Sequence, residues 1–250
     1  MTTIYTIINQ KGGVGKSTTA MMLGAGLHQL GMRILFIDMD AQGNLSYALG
    51  TENPNISTMD LLTGAASINQ TMVSTQSGEL IPSSIALATA DMVLTGTGRE
   101  YLLKNILKPI RKQFDAIIID TPPALGILSI NALTVTDQVI IPTIADVFAV
   151  QGIARVFQTI AQVKKKANPS LKVSGILITR FNSRANISRQ IQEIIEDAAQ
   201  KLKTKVFNTY IRECSAIREA QAYKTNIYTF APKSNAVIDY QAFIKELLKE

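Results

Sequence analysis

The chain has 250 residues, of which 46% are hydrophobic and 18% charged, and its formal net charge is +6. This length is enough for one α/β domain with a substantial core, and we expect a single domain over residues 1–250. A single cysteine excludes an internal disulfide, and the chain has no run of eighteen apolar residues that would predict a membrane-spanning helix. The chain begins without the basic, apolar start of a signal peptide, so we expect a cytoplasmic protein.

Short apolar runs alternate with helical patterns along the chain. The predicted strands are, in chain order, residues 4–8, 33–37, 116–119, 138–141, 173–179 and 205–207. Near-continuous apolar runs are typical of parallel strands that are buried on both faces. We therefore predict an α/β fold with a doubly wound, mostly parallel sheet flanked by helices on both faces. Residues 50–98 show the least periodicity and give no firm prediction.

A glycine-rich segment follows the first predicted strand and precedes a helix predicted over residues 17–30. From Asn9 to Thr18 it reads NQKGGVGKST. Strand, loop and helix in this order are the context of a phosphate-binding loop, in which backbone N–H groups surround the phosphates and the lysine before the hydroxyl residue reaches their oxygens. Gln10 stands where the common loop has its first glycine, and Lys11 adds a second lysine, so the loop is a variant.

Aspartates lie at the ends of two further predicted strands. Asp38 and Asp40 end the second strand region, and Asp120 ends the third. Ligands of doubly wound sheets bind at the carboxyl ends of the strands, so the loop and these three carboxylates should converge on one crevice. A single aspartate at such a position is as often a cap or turn former, but three together favour a site.

With these residues in view, the chain resembles the ParA/MinD superfamily of P-loop ATPases with a deviant Walker A loop, and more closely its ParA/Soj branch, which partitions plasmids and chromosomes. Three segments carry the resemblance: residues 11–18, residues 36–46 (FIDMDAQGNLS) and residues 117–123 (IIIDTPP). Residues 145–152 and 231–234 also look like this branch. The resemblance spans nearly the whole chain.

The resemblance implies an ATPase that uses ATP and Mg²⁺. The implied phosphate-binding residues are Lys11, Gly12, Gly13, Val14, Gly15, Lys16, Ser17 and Thr18, the metal-side residues are Ser17, Asp38 and Asp120, and the catalytic residues are Lys11, Lys16 and Asp40. In the family Lys11 reaches the partner's ATP across an ATP-dependent homodimer, and Asp40 orients the attacking water. Late loops are expected to hold the adenine, at Ile211 and Arg212.

The positive charge lies in the second half of the chain, where 17 Lys/Arg face 10 Asp/Glu, against 8 and 9 in residues 1–125. The resemblance implies that the ATP dimer binds double-stranded DNA without sequence preference, associates with the nucleoid, and is released by a ParB-like partner. The predicted DNA contacts are Arg184, Arg189, Lys201, Arg218, Lys224 and Lys245. Ala216 stands where related chains often have an arginine, which leaves Arg218 as the substitute, and Arg184 serves equally well at a dimer interface.

Other interpretations remain open at the sequence level. A MinD-like ATPase would bind a membrane through a C-terminal amphipathic helix, but the apolar residues of 238–250 are interleaved with both lysines and glutamates, and we expect this helix to pack on the domain. A ParA-like ATPase that positions other cell machinery is a further alternative. The run of lysines at 164–166 lies at a predicted helix end, where cations also complement the helix dipole. Because the loop begins within the first dozen residues, we expect no DNA-reading helix pair before it.

Overall fold

The computed structural model describes residues 2–182 and 186–249. Its strands are β1 (Thr3–Ile7), β2 (Ile34–Asp38), β3 (Val73–Thr75), β4 (Gly78–Ile81), β5 (Ala116–Asp120), β6 (Gln138–Ile144) and β7 (Lys172–Thr179). They form one seven-stranded sheet in the order β3-β4-β2-β5-β1-β6-β7. Each pairing is parallel except that of β3 with β4. The predicted mostly parallel sheet is confirmed.

Helices cover both faces of this sheet. They are α1 (Lys16–Gln29), α2 (Asn44–Ala48), α3 (Thr58–Thr63), α4 (Ile68–Thr71), α5 (Ala90–Val93), α6 (Leu102–Leu107), α7 (Ile127–Val135), α8 (Ala149–Lys166), α9 (Asn186–Lys201), α10 (Ser215–Ala222), α11 (Ile227–Phe230) and α12 (Asn235–Leu247), with 3-10 turns at Ile85–Thr89, Arg99–Tyr101 and Arg111–Gln113. Alternate residues of β2 face opposite layers: Phe36 packs with α1 and α12, whereas Leu35 and Ile37 pack with α3, α6 and α7.

Five of the six predicted strands are present, with ends shifted by a few residues. The sixth, at 205–207, is wrong: Val206 makes only an isolated bridge to Ile176 of β7. The hairpin of β3 and β4 was not predicted, because its strands are short and carry polar residues and a glycine. Gly78 has φ 127°, and a Cβ there would lie 2.6 Å from the Ile34 carbonyl oxygen, so the start of β4 requires glycine.

Helix α1 lies between the sheet and α12 at very short distance. A Cβ at Gly24 would lie 2.1 Å from the Phe36 ring, and one at Gly26 would lie 2.3 Å from Ile244 of α12. Helix α12 buries Tyr240 and Phe243 in the same layer, so it packs on the domain as expected. Among the described helices, none is long and apolar enough to cross a membrane.

Candidate functional site

The carboxyl ends of three adjacent strands bring the predicted residues together. In the parallel register, Asp120 at the end of β5 is level with Ile7 of β1 and with Asp38 of β2. A cavity of about 780 Å³ opens at this edge. Its lining includes Gly12, Gly13, Gly15, Lys16, Ser17, Thr18, Asp40, Tyr47, Thr179, Arg180, Ile211, Arg212, Cys214, Arg218 and Tyr240. The loop and Asp40 therefore meet at this cavity as expected. Asp38 and Asp120 lie at the same strand ends but are fully buried and are not part of the lining, and neither are Lys11 and Val14.

The glycine-rich loop reaches the first turn of α1 through two left-handed residues. Gly13 has φ 73° and Gly15 has φ 80°, values that side-chain-bearing residues rarely adopt. Thr179 of β7 donates its hydroxyl to the Val14 carbonyl oxygen at 2.9 Å and fixes the loop from the far side. The N-terminus of α1, with its unpaired N–H groups and positive dipole end, thus opens onto the cavity and favours an anion.

Lys16 is held inside this loop and is almost completely buried. Its Nζ donates to the Lys11 carbonyl oxygen at 3.2 Å, and its side chain lines the cavity. Burial lowers the pKa of Lys16, while the nearby charges of Asp120 and Asp40 raise it. A buried ammonium with one acceptor among the residues that the structure describes retains donors for a further anion, as a phosphate-binding lysine requires.

Asp120 is the most unusual group in the site. It is fully buried at the end of β5, and neither carboxylate oxygen has a hydrogen-bond partner among the described residues. Burial raises the pKa of Asp120 well above its usual value, and the charge of Asp38 raises it further, against the opposing effects of Ser17 and Lys16. Buried carboxylates normally have partners. Mg²⁺ prefers oxygen ligands, so Asp120 and the Ser17 hydroxyl fit this ion.

Asp38 has a different environment from Asp120. Its Oδ2 accepts the Ser46 N–H at 2.8 Å and the Ser46 hydroxyl at 2.7 Å, and its Oδ1 accepts the Asp40 N–H at 3.1 Å. Burial raises the pKa of Asp38 to about 6, although these hydrogen bonds lower it. Asp38 therefore fixes the backbone of the segment that carries Asp40, and its predicted support of the metal side would act from that position.

Asp40 lies at the wall of the cavity. Its Oδ1 accepts the Gln42 N–H at 3.0 Å, and its carbonyl oxygen accepts the Ser83 hydroxyl. Ser83 in turn donates its N–H to the Ser46 hydroxyl at 2.9 Å. The turn after β2 is thus fixed from two sides, and the Asp40 carboxylate is presented to the cavity beside Lys16.

The second lysine of the loop forms an ion pair within its own chain. The Lys11 Nζ donates to Asp146 in the segment after β6, and it lies 6.0 Å from the centroid of the Phe148 ring. The backbone N–H of Lys11 donates to Asn9 Oδ1 at 3.0 Å. Val147 and Phe148 are 75% and 65% exposed, so this rim of the crevice combines a paired lysine with exposed apolar surface. Asp146 was not among the predicted site residues.

The far end of the cavity is formed by the chain after β7. Ile211 and Arg212, both predicted from the sequence, line it. Arg212 is held by Asp239 of α12, whose oxygens accept its N–H at 2.9 Å, its Nε at 2.9 Å and its Nη2 at 2.6 Å. Glu246, two turns further along α12, accepts the N–H groups of Asn208 at 2.8 Å and Thr209 at 2.9 Å. Neither carboxylate was predicted from the sequence, although their seven-residue spacing places them on one face of a helix.

The predicted DNA contacts are spread over several elements. Arg189 and Lys201 of α9 and Lys245 of α12 are exposed. Arg218 of α10 is exposed too, but it also lines the cavity. Lys224 pairs with Glu52 at 2.5 Å and lies 5.0 Å from the Tyr47 ring. Arg184 lies outside the described residues.

A parallel sheet that ends in a glycine-rich phosphate loop and converging carboxylates defines the class of P-loop nucleotide-hydrolysing proteins. The model of the AAA domain family matches residues 2–173. The chain is 36% identical over 249 residues to the sporulation initiation inhibitor protein Soj of Bacillus subtilis, covering 98% of this chain and 97% of that protein. It is equally identical to the chromosome partitioning protein ParA of Myxococcus xanthus, over 98% of this chain and 88% of that protein. The chain therefore belongs to the Soj/ParA family of AAA-domain proteins.

A solved structure shares the whole fold. The cobyrinic acid a,c-diamide synthase from Mycobacterium smegmatis, solved with a bound ATP analogue and magnesium, superposes with a TM-score of 0.87 at 34% identity, covering 100% of this chain and 95% of that one. The predicted fold class and family are thus confirmed.

Proposed function

We propose that this chain is a DNA-partition ATPase that dimerises on binding ATP and Mg²⁺, binds DNA without sequence preference as the dimer, and is released when a ParB-like partner stimulates hydrolysis. As a member of the Soj/ParA family it is an ATPase, and its cofactors are ATP and Mg²⁺. We further propose one ATPase domain over residues 1–250, located in the cytoplasm and associated with the nucleoid in the ATP state.

The phosphate loop supports the nucleotide assignment. The backbone N–H groups of residues 12–16 and the Lys16 ammonium hold the phosphates, and Thr18 lies beside them. Ser17 and Asp120 would hold Mg²⁺, with Asp38 behind them. Bound Mg²⁺ supplies positive charge that neutralises the phosphate oxygens.

Asp40 is the residue suited to orient the attacking water. Its carboxylate lines the cavity beside Lys16, and the hydrogen bonds of Gln42 and Ser83 limit its movement. A carboxylate in such a position accepts a proton from a water molecule that lies in line with the phosphate, and so directs the lone pair of the water oxygen towards the phosphorus atom. The charge of Lys11, delivered from the partner subunit's copy of this loop, would complete the site in the dimer.

The observation that carries the proposal of a dimer is the second lysine. Lys11 lies on the rim of the crevice, where Val147 and Phe148 are exposed beside it. An exposed apolar rim around a charged centre is the composition of a protein interface. In a dimer that meets at this rim, Lys11 exchanges Asp146 for a phosphate of the facing nucleotide.

The test is retention of a random-sequence duplex by the purified protein with ATP, with ADP and without nucleotide, at increasing salt. We expect the ATP state to bind additional duplex, with an affinity that falls steeply with salt. Lys11→Ala should remove both this ATP-dependent component and ATP-dependent dimerisation in sedimentation, whereas Gln29→Ala, on the exposed end of α1, should change neither.

Two outcomes would count against the proposal. If Lys11→Ala still dimerises with ATP, the lysine has no role across an interface. If wild-type dimers form with ATP and bind no duplex beyond the nucleotide-free level, the target is a membrane or another protein, and liposome co-sedimentation with ATP then separates these alternatives.

A further inference from the structure

Two segments far from the crevice carry an unusual share of the positive charge. Residues 99–113 contain five Lys/Arg and one acidic residue, and residues 161–172 contain four lysines and no acidic residue. Their net charge is +8, whereas the whole chain has +6, so the remaining residues are slightly acidic in sum. Positive charge clustered in this way produces a stronger local positive potential than the net charge of the chain alone would indicate.

The two segments are adjacent in the fold. The Tyr101 hydroxyl donates to the Lys166 carbonyl oxygen at 3.3 Å and so joins the start of α6 to the end of α8. The Lys104 Nζ lies 5.9 Å from the centroid of the Tyr101 ring, which places this ammonium beside the end of α8. We call the surface formed by residues 99–113 and 161–172 the basic pole.

The basic pole lies at the end of the sheet opposite the nucleotide crevice. Arg111 pairs with Asp137 at 2.5 Å, and the Lys172 N–H donates to the Asp137 carbonyl oxygen at 2.9 Å. Asp137 directly precedes β6, and Lys172 opens β7, so both mark the amino ends of the strands. The crevice lies at the carboxyl ends, where Lys16 and Asp120 are found.

Local structure does not account for the charge of this surface. Its six clustered lysines are exposed, and none forms an ion pair with a residue that the structure describes; they are Lys104, Lys108, Lys112, Lys164, Lys165 and Lys166. The dipole of α8 favours the lysines in its last turn. Lys104 and Lys108, four residues apart on the α6 segment, repel each other, so their placement has no such explanation. Arg111 is compensated by Asp137, which lies outside the pole, and Glu100 is the one acidic residue within it.

We propose that the basic pole binds the phosphate backbone of double-stranded nucleic acid, as a second contact that does not depend on the bound nucleotide. Lys104 and Lys108 are four residues apart, which corresponds to about 6 Å along a helix, and the Lys108 N–H donates to the Lys104 carbonyl oxygen at 3.2 Å. A row of ammonium groups at this spacing suits a regular polyanion, and phosphate contacts carry no sequence preference.

The composition of the pole favours nucleic acid over a lipid surface. Binding to an anionic membrane needs apolar side chains that insert among the acyl chains. The large hydrophobic side chains of residues 99–113 and 161–172 are all buried or half-buried, and the exposed ones of the described chain lie elsewhere. Because the pole is remote from the crevice and needs no dimer, its binding should be the same with ATP, with ADP and without nucleotide.

The test measures retention of a short random-sequence duplex by nucleotide-free protein across a salt series. Neutralising Lys164, Lys165 and Lys166 together to Gln should weaken binding about tenfold or more at low salt, and should reduce the slope of log K against log salt by about 0.9 for each phosphate that is no longer neutralised. Lys104→Gln with Lys108→Gln should weaken it from the other segment. The double variant Lys233→Gln and Lys249→Gln removes the same charge elsewhere and should leave it unchanged.

Three results would overturn the proposal. The first two are no retention by nucleotide-free wild type at low salt and an equal decrease of retention in the control variant. The third is a lower melting temperature of the pole variants with unchanged retention, which a purely structural role of the lysines predicts. Retention of anionic vesicles but not of duplex would assign the pole to a membrane instead. The proposed function is tested independently of the pole. Lys11→Ala should lose the ATP-dependent part of duplex retention and keep the nucleotide-independent part.

Discussion

Asp120 has two buried carboxylate oxygens without a partner among the described residues. We therefore expect the protein to become more stable when the charge of this carboxylate is removed. The neutral, nearly isosteric Asp120→Asn should raise the free energy of unfolding of the nucleotide-free protein at pH 8 by about 1–3 kcal/mol, since it replaces an unpaired buried charge by a neutral amide, whose burial costs less. Thermal unfolding would show this as a melting temperature several degrees higher, at the expense of Mg²⁺-dependent ATP binding.

The pH dependence of this effect has a definite sign. Because burial raises the pKa of Asp120 above its unfolded value, the native state binds more protons than the unfolded state, and wild-type stability falls as pH rises above the ordinary carboxyl range. The advantage of Asp120→Asn should therefore shrink as pH is lowered, when the wild-type carboxyl is also neutral. A gain that is equal at pH 5 and pH 8 would show that charge is not its cause.

The position of Asp40 predicts that a substitution there affects ATP hydrolysis but not dimerisation. Asp40→Ala should lower ATP turnover by about 100-fold or more, as expected for loss of a group that positions and deprotonates water. Dimerisation with ATP should persist, because Lys16 and the loop are untouched. Asp197→Ala, which removes an exposed carboxylate of α9, provides the control, and normal turnover in Asp40→Ala would remove Asp40 from the mechanism.

At the scale of elements, the contact of α1 with α12 is made possible by one glycine. A Cβ at Gly26 would lie 2.3 Å from Ile244 and 2.6 Å from the Tyr228 hydroxyl, so Gly26→Ala should destabilise the fold by about 1–3 kcal/mol despite the better helix propensity of alanine. Urea unfolding measures this. Gln29→Ala, at an exposed position of the same helix, should stay within about 0.5 kcal/mol of wild type.

The carboxylates of α12 predict a positioning role for the last helix. Asp239 and Glu246 hold the segment from Asn208 to Arg212, which forms the far wall of the crevice. Asp239→Asn should raise the dissociation constant for ATP about tenfold, a change of about 1.4 kcal/mol, by releasing Arg212. Binding of inorganic triphosphate, which contacts the loop alone, should stay as in wild type.

Glu246→Gln provides a milder version of the same experiment. Burial raises the pKa of Glu246, but the hydrogen bonds of Asn208 and Thr209 lower it more, so the charged form is favoured in the native state. Its stabilising contribution is present above the unfolded carboxyl pKa and is lost as pH falls. Equal weakening of ATP and inorganic triphosphate binding in these variants would indicate general damage to the site; Glu196→Gln on α9 is the matched control.

The accuracy of the sequence predictions varied with the length of each apolar run. Strands β5 and β7 were predicted because four apolar or β-branched residues follow one another there. Strand β3 has only the residues VST, too short for a period to be visible. Residues 205–207 are apolar enough for a strand, but the segment from 208 is held by Glu246 instead of continuing along β7.

For the molecule as a whole, the sequence predicts chemistry better than contacts. The glycines of the loop, Lys16, Ser17 and the aspartates could be named because phosphate and Mg²⁺ chemistry requires these residue types at strand ends. The loop, Lys16, Ser17 and Asp40 line one crevice, and Asp38 and Asp120 are buried at the adjacent strand ends. Asp146 could not be named, because its contact with Lys11 joins positions 135 residues apart. Such pairings follow from the order of strands in the sheet, which no local pattern contains.

The pairing of Lys11 with Asp146 has a consequence for how reversibly the protein assembles. A lysine that must give up its own counter-charge before it contacts the facing nucleotide offsets part of the free energy that this contact supplies, so two chains should associate with a modest net free energy. Association of this kind responds to how many copies are present in a given volume. We therefore expect dimers to accumulate wherever the protein is locally crowded and to dissociate where it is dilute, without any change in the cell's supply of ATP.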